Sequence, residues 1–249
     1  SGESLFKRGW RTDKGEAPLK ENMAAGLLKL SGWTPDMPLL DPFCGSGTIA
    51  IEAASIACGL VPGISRSFGF EKLLNFDREL WTELREDAKS EVNLHREVSI
   101  TASDISSIVV RKAEANALRA GLGGLLESGN LKFSVCDARN VLPPTEKPGI
   151  IVANPPYGEQ STPRSATVGS MMRHVADNLK HNFAGWTAWM LTSDRHLPGE
   201  MHLKEGRKTV LFNGPLECRF FKFDLVAGSN RRVKKQDSAS IETSSDTES

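Results

Sequence analysis

The sequence predicts an α/β fold built on an open, mostly parallel sheet that ends in an antiparallel hairpin. Three observations carry that expectation. From Pro38 onward, short apolar runs alternate with segments of helical spacing, the pattern of successive βαβ units. Four of the runs lead into a polar residue able to hold a ligand, namely Asp41, Asp104, Asp137 and Asn154. The last two runs, Lys208–Asn213 and Glu217–Val226, flank an Asn213-Gly214-Pro215 turn that reverses the chain.

Leu39-Leu40 is the first strand and enters a glycine-rich turn at Cys44–Thr48. Ile49, Ile51, Ala53, Ala54 and Ile56 continue it as a helix. A longer segment runs from Gly59 to about Val98, and within it Leu80, Trp81, Leu84 and Ala88 have helical spacing. Ser99–Ser103 is the second strand, followed by a helix from about Val109 to Ala120 that stops at Gly121. Leu131–Cys136 and Ile150–Ala153 are the third and fourth strands. A helix from Val168 to about Asn182 and a strand at Trp186–Thr192 precede the hairpin. Beyond Ala227 a short basic run (Arg231, Arg232, Lys234, Lys235) gives way to Ser, Thr, Asp and Glu, with too little apolar surface to offset the entropy of ordering. The expected division is an N-terminal extension over 1–36, one domain over 37–227 and a disordered tail over 228–249.

With 39% hydrophobic and 25% charged residues, 249 residues suffice for one well-packed globular domain. No apolar run approaches the ~20 residues that cross a bilayer, and the first residues lack a signal-peptide core. Cys44, Cys58, Cys136 and Cys218 lie far apart without a CxxC pair, which argues against a zinc site or a disulfide framework. A reducing compartment, the cytoplasm, is expected, or an organelle such as a plastid if the N-terminus is processed. His174 and His181 share a helical face, the mark of an ordinary surface pair. Thirty-one basic and 31 acidic residues cancel, so no bulk field advertises a nucleic-acid partner. Lys7, Arg8 and Arg11, with Lys20, form the clearest basic patch. It reads equally as a solvated turn or as a surface for phosphates.

The chemistry lies at the strand ends. In Asp41-Pro42-Phe43-Cys44-Gly45-Ser46-Gly47-Thr48, Gly45 and Gly47 let a ligand approach the backbone, and the next helix presents free N–H groups. The missing lysine excludes a Walker loop, and the motif is not GxGxxG. An acid at this strand end suits a ligand with a cationic amino group. In open α/β sheets ligands sit outside the carboxyl ends of the strands, where Asp104 could accept ribose hydroxyls and Asp137 an adenine amino group. Each acid alone is more often a helix cap; three on successive strand ends favour one shared ligand. Asn154-Pro155-Pro156-Tyr157 is the most specific motif. Its prolines remove N–H donors, so the Asn154 oxygen and the Pro155 carbonyl can accept both hydrogens of an amino group, with Tyr157 as a stacking face. The plain alternative is a Pro-Pro turn.

Together these features resemble the class I S-adenosylmethionine-dependent methyltransferases. More narrowly, the chain is similar to the methyltransferase domain of the THUMP-associated 23S rRNA guanine-N2 methyltransferases. The likeness runs through Ser1–Arg11, Ala17–Asn22, Leu30–Trp33, Asp41–Ala54, Asn154–Gly158 and Asn213–Cys218. It implies a Rossmann-like, seven-stranded sheet and S-adenosyl-L-methionine as cofactor. Asp41 and Gly45–Gly47 would hold the methionine end, Asp104 the ribose and Asp137 the adenine, with Pro42, Phe43, Ser46, Thr48, Ile105 and Ala138 beside them. Asn154, Pro155, Pro156 and Tyr157 would bind the target amino group. Arg8, Arg11 and Lys20 would contact RNA whose base is flipped or looped out. The family carries an RNA-binding THUMP domain upstream, which this sequence lacks. The implied reaction is methylation of guanine N2 in large-subunit rRNA. Adenine N6 in DNA and a protein glutamine amide are rival substrates, and a cofactor-binding module without turnover is a rival of another class.

Overall fold

The computed structural model describes residue 4 and residues 6–11, 19–156 and 165–227. Seven strands form one sheet: β1 (Leu39–Asp41), β2 (Ile100–Asp104), β3 (Leu131–Val135), β4 (Ile150–Ala153), β5 (Thr187–Thr192), β6 (Arg207–Asn213) and β7 (Leu216–Asp224). Their order is β3-β2-β1-β4-β5-β7-β6. The first five pair in parallel, and β7 runs antiparallel to both β5 and β6. This is the seven-stranded sheet with a C-terminal antiparallel hairpin that the sequence predicts.

The side-chain period of two sorts each strand between two hydrophobic clusters, one on each face of the sheet. Leu39, Val152, Trp189, Leu191 and Phe220 face one cluster, while Leu40, Ile151, Ala188, Met190 and Phe221 face the other. The first face is covered by α1 (Glu21–Ser31), α2 (Thr48–Ala57) and α4 (Ser107–Arg119), with α5 (Gly123–Glu127) beyond them. The second is covered by α6 (Ser165–Asn182), whose buried Met172, Val175, Ala176 and Leu179 form one stripe that Phe183 continues just past the helix end. A short α7 (Leu197–Glu200) follows β5.

Helix α1 lies in the stretch the sequence reading treats as an extension. Ala24, Leu27, Leu28 and Ser31 bury one face, and Gly32 ends the helix at φ 76°. Trp10, Leu19, Leu27, Leu28 and Trp33 pack into the same cluster as Leu39 and Ile49. Helix α4 begins before the expected Val109 because the Ser106 hydroxyl accepts the Val109 N–H at 3.4 Å. Helix α3 (Arg78–Ser90) carries the expected Leu80–Ala88 spacing but buries no residue. Its Trp81 instead meets Phe68 and Phe70 edge-on, with centroids 5.7 and 5.0 Å apart. None of the described helices is long and apolar enough to cross a membrane. The tail, 228–249, and Tyr157 lie outside the described residues.

Candidate active site

The carboxyl ends of β1, β2, β3 and β4 open into one cavity of about 950 Å³. Asp41, Pro42, Phe43, Gly45, Ser46 and Thr48 line it from the first turn. Asp104 and Ile105 enter after β2, Asp137 and Ala138 after β3, and Asn154 and Pro156 after β4. Gly47 and Pro155 support this wall without lining it. The sheet thus gathers residues more than a hundred positions apart in sequence.

The glycine turn is fixed from several sides. Gly47, at φ 86°, is where α2, α4 and β3 converge: a Cβ there would lie 3.0 Å from the Ala113 Cβ and 3.2 Å from Ile51 and Phe133. The left-handed backbone and the lack of space both require glycine. The Gly45 N–H donates to Asp104 Oδ2 at 3.1 Å, and Asn116 Nδ2 donates to the Ser46 carbonyl at 2.9 Å. No sequence signal distinguishes Asn116, which sits among alanines on α4.

The three acids differ in their surroundings. Asp41 Oδ1 accepts the Phe43 N–H at 3.1 Å, whereas its buried Oδ2 has no hydrogen-bond partner among the described residues. Burial pushes the Asp41 carboxyl up to about 8, with Asp104 adding to the rise. A buried acceptor left in this state is costly unless a donor completes it, and a cationic amino group would do so. Asp104 accepts Gly45 N–H and Ser106 N–H through separate oxygens, 3.1 and 3.0 Å away, which fixes its orientation and leaves lone pairs for hydroxyl donors. Asp137 is forked by Arg139, whose Nε lies 3.0 Å from both carboxylate oxygens. That bonding holds the carboxyl below its ordinary range. Arg139 is a second residue the sequence reading passed over. The set of acceptors therefore fits an amino-acid nucleoside: an unpartnered carboxylate for an ammonium, then an acid after each of the next two strands.

Of the basic N-terminal residues, Arg8 and Arg11 face inward, while Lys7 and Lys20 are exposed. Arg8 forks Glu52, with Nε–Oε1 at 3.1 Å and Nη2–Oε2 at 3.2 Å, and the Glu52 side chain is only 4% exposed. Arg11 donates through Nε to Glu21 at 3.3 Å, through Nη1 to Ser46 Oγ at 3.0 Å, and through Nη2 to Thr48 Oγ1 at 2.7 Å and Leu19 O at 3.2 Å. Buried carboxylates need such partners, because an uncompensated buried charge is expensive. Arg8 and Arg11 of the expected phosphate surface are thus engaged with interior partners. Lys20 is exposed, with its ammonium 5.1 Å from the Phe6 ring centroid. Arg111 and Lys112, exposed residues of α4, lie on the cavity wall, as does Arg119, whose Nε donates to the Trp10 carbonyl at 2.8 Å.

The model of the RMKL-like methyltransferase domain family matches residues 8–222. Ribosomal RNA large subunit methyltransferase K/L of Shewanella baltica (strain OS155) is 43% identical over 240 residues, covering 93% of this chain and 32% of that protein. The chain spans about a third of the length of the curated relatives it matches. Among solved structures, SMU.472 complexed with SAH is similar at a TM-score of 0.81 and 34% identity, over 92% of this chain and 58% of that one. A predicted N6-adenine-specific DNA methylase from Listeria monocytogenes reaches a TM-score of 0.78 and 33% identity, over 90% and 56% of the two chains. With this sheet, this cavity and a family match over nearly its whole described length, the chain belongs to the RMKL-like methyltransferase domain family.

Proposed function

We propose that this domain transfers a methyl group from S-adenosylmethionine to an exocyclic amino nitrogen of a base, guanine N2 of large-subunit rRNA. The observation that carries the reading is one cavity holding both Asp41, with its unpartnered buried oxygen, and Asn154 at the end of the adjacent strand. Asp41 takes the cofactor's ammonium, Asp104 its ribose hydroxyls and Asp137 the adenine edge, with Ile105 and Ala138 against the rings. When bound, the cofactor supplies a methyl group activated on a sulfonium. The Asn154 side-chain oxygen accepts an N–H of the target amino group and draws its lone pair out of the ring. Pro155 and Pro156 shape the turn that presents it, and Tyr157 is the stacking face we propose for the base. Catalysis rests on positioning and fixed dipoles, not on a covalent intermediate.

The likeness to the large-subunit rRNA methyltransferase supports RNA as the carrier, and the target base must leave its stack to reach Asn154. With Arg8 and Arg11 turned inward, the exposed cations of α4 and Lys20 are the phosphate contacts we propose. An upstream THUMP-type domain supplies the remaining affinity. Calorimetry with S-adenosylmethionine and transfer assays on rRNA, DNA and protein test the reading. Asp104→Ala should weaken cofactor binding by about 10- to 150-fold, the value of a hydrogen bond to a charged acceptor. Label arriving on DNA adenine or a protein amide, but not on rRNA, would overturn the substrate assignment.

A further inference from the structure

Of the three strand-end acids, Asp137 is the one whose carboxylate a side chain already holds. A carboxylate offers about four acceptor sites. Among the described residues, Asp41 spends one on the Phe43 N–H, and Asp104 spends two on the Gly45 and Ser106 N–H groups. Asp137 Oδ1 accepts the Arg139 N–H at 2.9 Å and Arg139 Nε at 3.0 Å, while Oδ2 accepts Nε at 3.0 Å and Nη2. One residue thus fills every acceptor site, and an adenine amino group finds none left. Three of the four contacts come from the guanidinium. That side chain has to leave before Asp137 takes a hydrogen from adenine, whereas the Arg139 backbone N–H can stay.

The fork opens at little cost. It faces water, with the Arg139 side chain 47% exposed. An ion pair of this kind shifts an equilibrium by only about two- to fivefold. The released guanidinium also has a second use. Arg139 lines the same cavity as Asn154 and the exposed Arg111 and Lys112 of α4. A planar fork that matches a carboxylate matches a phosphate as well.

We propose that Arg139 is an autoinhibitory contact on the adenine subsite, which yields Asp137 to the cofactor and turns to a phosphate of the RNA, so that the two ligands favour each other's binding. This rests on the S-adenosylmethionine reading. The coupling is reciprocal, and it cannot exceed what the fork itself is worth, because each ligand gains only what the other has released.

The test uses the whole chain and two neutral-sulfur ligands in calorimetry: S-adenosylhomocysteine, and S-inosylhomocysteine, which has a carbonyl in place of the adenine amino group. Arg139→Gln, an exposed change, should bind S-adenosylhomocysteine about two- to fivefold more tightly than the unaltered protein and gain nothing for S-inosylhomocysteine. Binding of an unmodified large-subunit rRNA transcript at low ionic strength, with and without saturating S-adenosylhomocysteine, reads the coupling. The unaltered protein should bind the transcript about two- to fivefold more tightly with the ligand present, and Arg139→Gln equally well with or without it. Unchanged or weaker S-adenosylhomocysteine binding by the variant overturns the inference, since the guanidinium then competes with nothing. An equal gain for both ligands overturns it as a plain charge effect. RNA affinity indifferent to the ligand in the unaltered protein, or coupling that survives in the variant, overturns it too. Failure of the unaltered protein to bind S-adenosylhomocysteine at all would instead overturn the cofactor reading beneath it.

Discussion

Asp41 links the cofactor site to protons. Its folded carboxyl titrates at about 8, against an ordinary value of 3.8. Between those values the folded chain holds a proton that the unfolded chain has lost, so this group makes stability fall as pH rises through that window. An ammonium ligand demands the ionised acid. Binding of S-adenosylmethionine at pH 7 should therefore release close to one proton, read as heat that varies with the buffer's ionisation enthalpy. Asp41→Asn should bind more weakly and release none; unchanged proton release in that variant would remove Asp41 from the linkage. Asn154→Ala should lower turnover by about 100-fold or more and leave cofactor affinity within a few-fold, as for loss of one preorganised polar group. Near-normal turnover would make the Asn-Pro-Pro turn structural. The strand-end acids and Asn154 are legible in the sequence because each follows an apolar run whose direction the sheet fixes. Arg8 and Arg11 are not. Their partners Glu52 and Thr48 lie 44 and 37 residues away, and nothing in a local charge pattern says that a guanidinium will turn inward.

At the scale of elements, the N-terminal segment is joined to α1, α2 and α4 by a few buried polar contacts, so its role is testable through stability. Arg8→Ala would leave Glu52, which burial already disfavours as an anion, without its guanidinium. A loss of about 3 kcal/mol is expected in urea unfolding, whereas Lys20→Ala on the surface should change stability by less than about 0.5 kcal/mol. If Arg8 instead served RNA, its removal would leave stability alone and flatten the salt dependence of RNA binding. In the sheet, Phe220 stacks on Trp189 with centroids 4.8 Å apart, in the core beneath the hairpin. Phe220→Ala should cost about 3–5 kcal/mol. The seven strands are legible to within two residues, because the central strands β1, β4 and β5 are compact buried apolar runs and the hairpin strands flank an Asn213-Gly214-Pro215 turn. Helix α1 is not, since Lys20 gives no side-chain cap to mark its start and its buried stripe has meaning only against α2 and β4. The four- and five-residue helices α7 and α5 are too short to show a period.

Over the whole molecule, the proposed site residues sit in a chain with no net charge. Among the described residues few exposed cations line the cavity, Arg111, Lys112 and Arg119 on α4 and Arg139 after β3, so few counterions are released on binding RNA, and affinity should be weak and set mainly by α4. Charge reversal at Arg111 and Lys112 should weaken RNA binding and reduce its salt slope while cofactor affinity stays the same. Adding an RNA-binding domain upstream raises the local concentration of substrate at an unchanged cavity. The apparent KM for RNA should fall strongly, and kcat should change little. The most direct test of the account is the nucleoside composition of large-subunit rRNA from cells with and without the gene, read by mass spectrometry. The account predicts loss of one N2-methylguanosine, restored by the intact sequence and not by an Asn154→Ala variant. An unchanged N2-methylguanosine content, or a change confined to methyladenine, would contradict it.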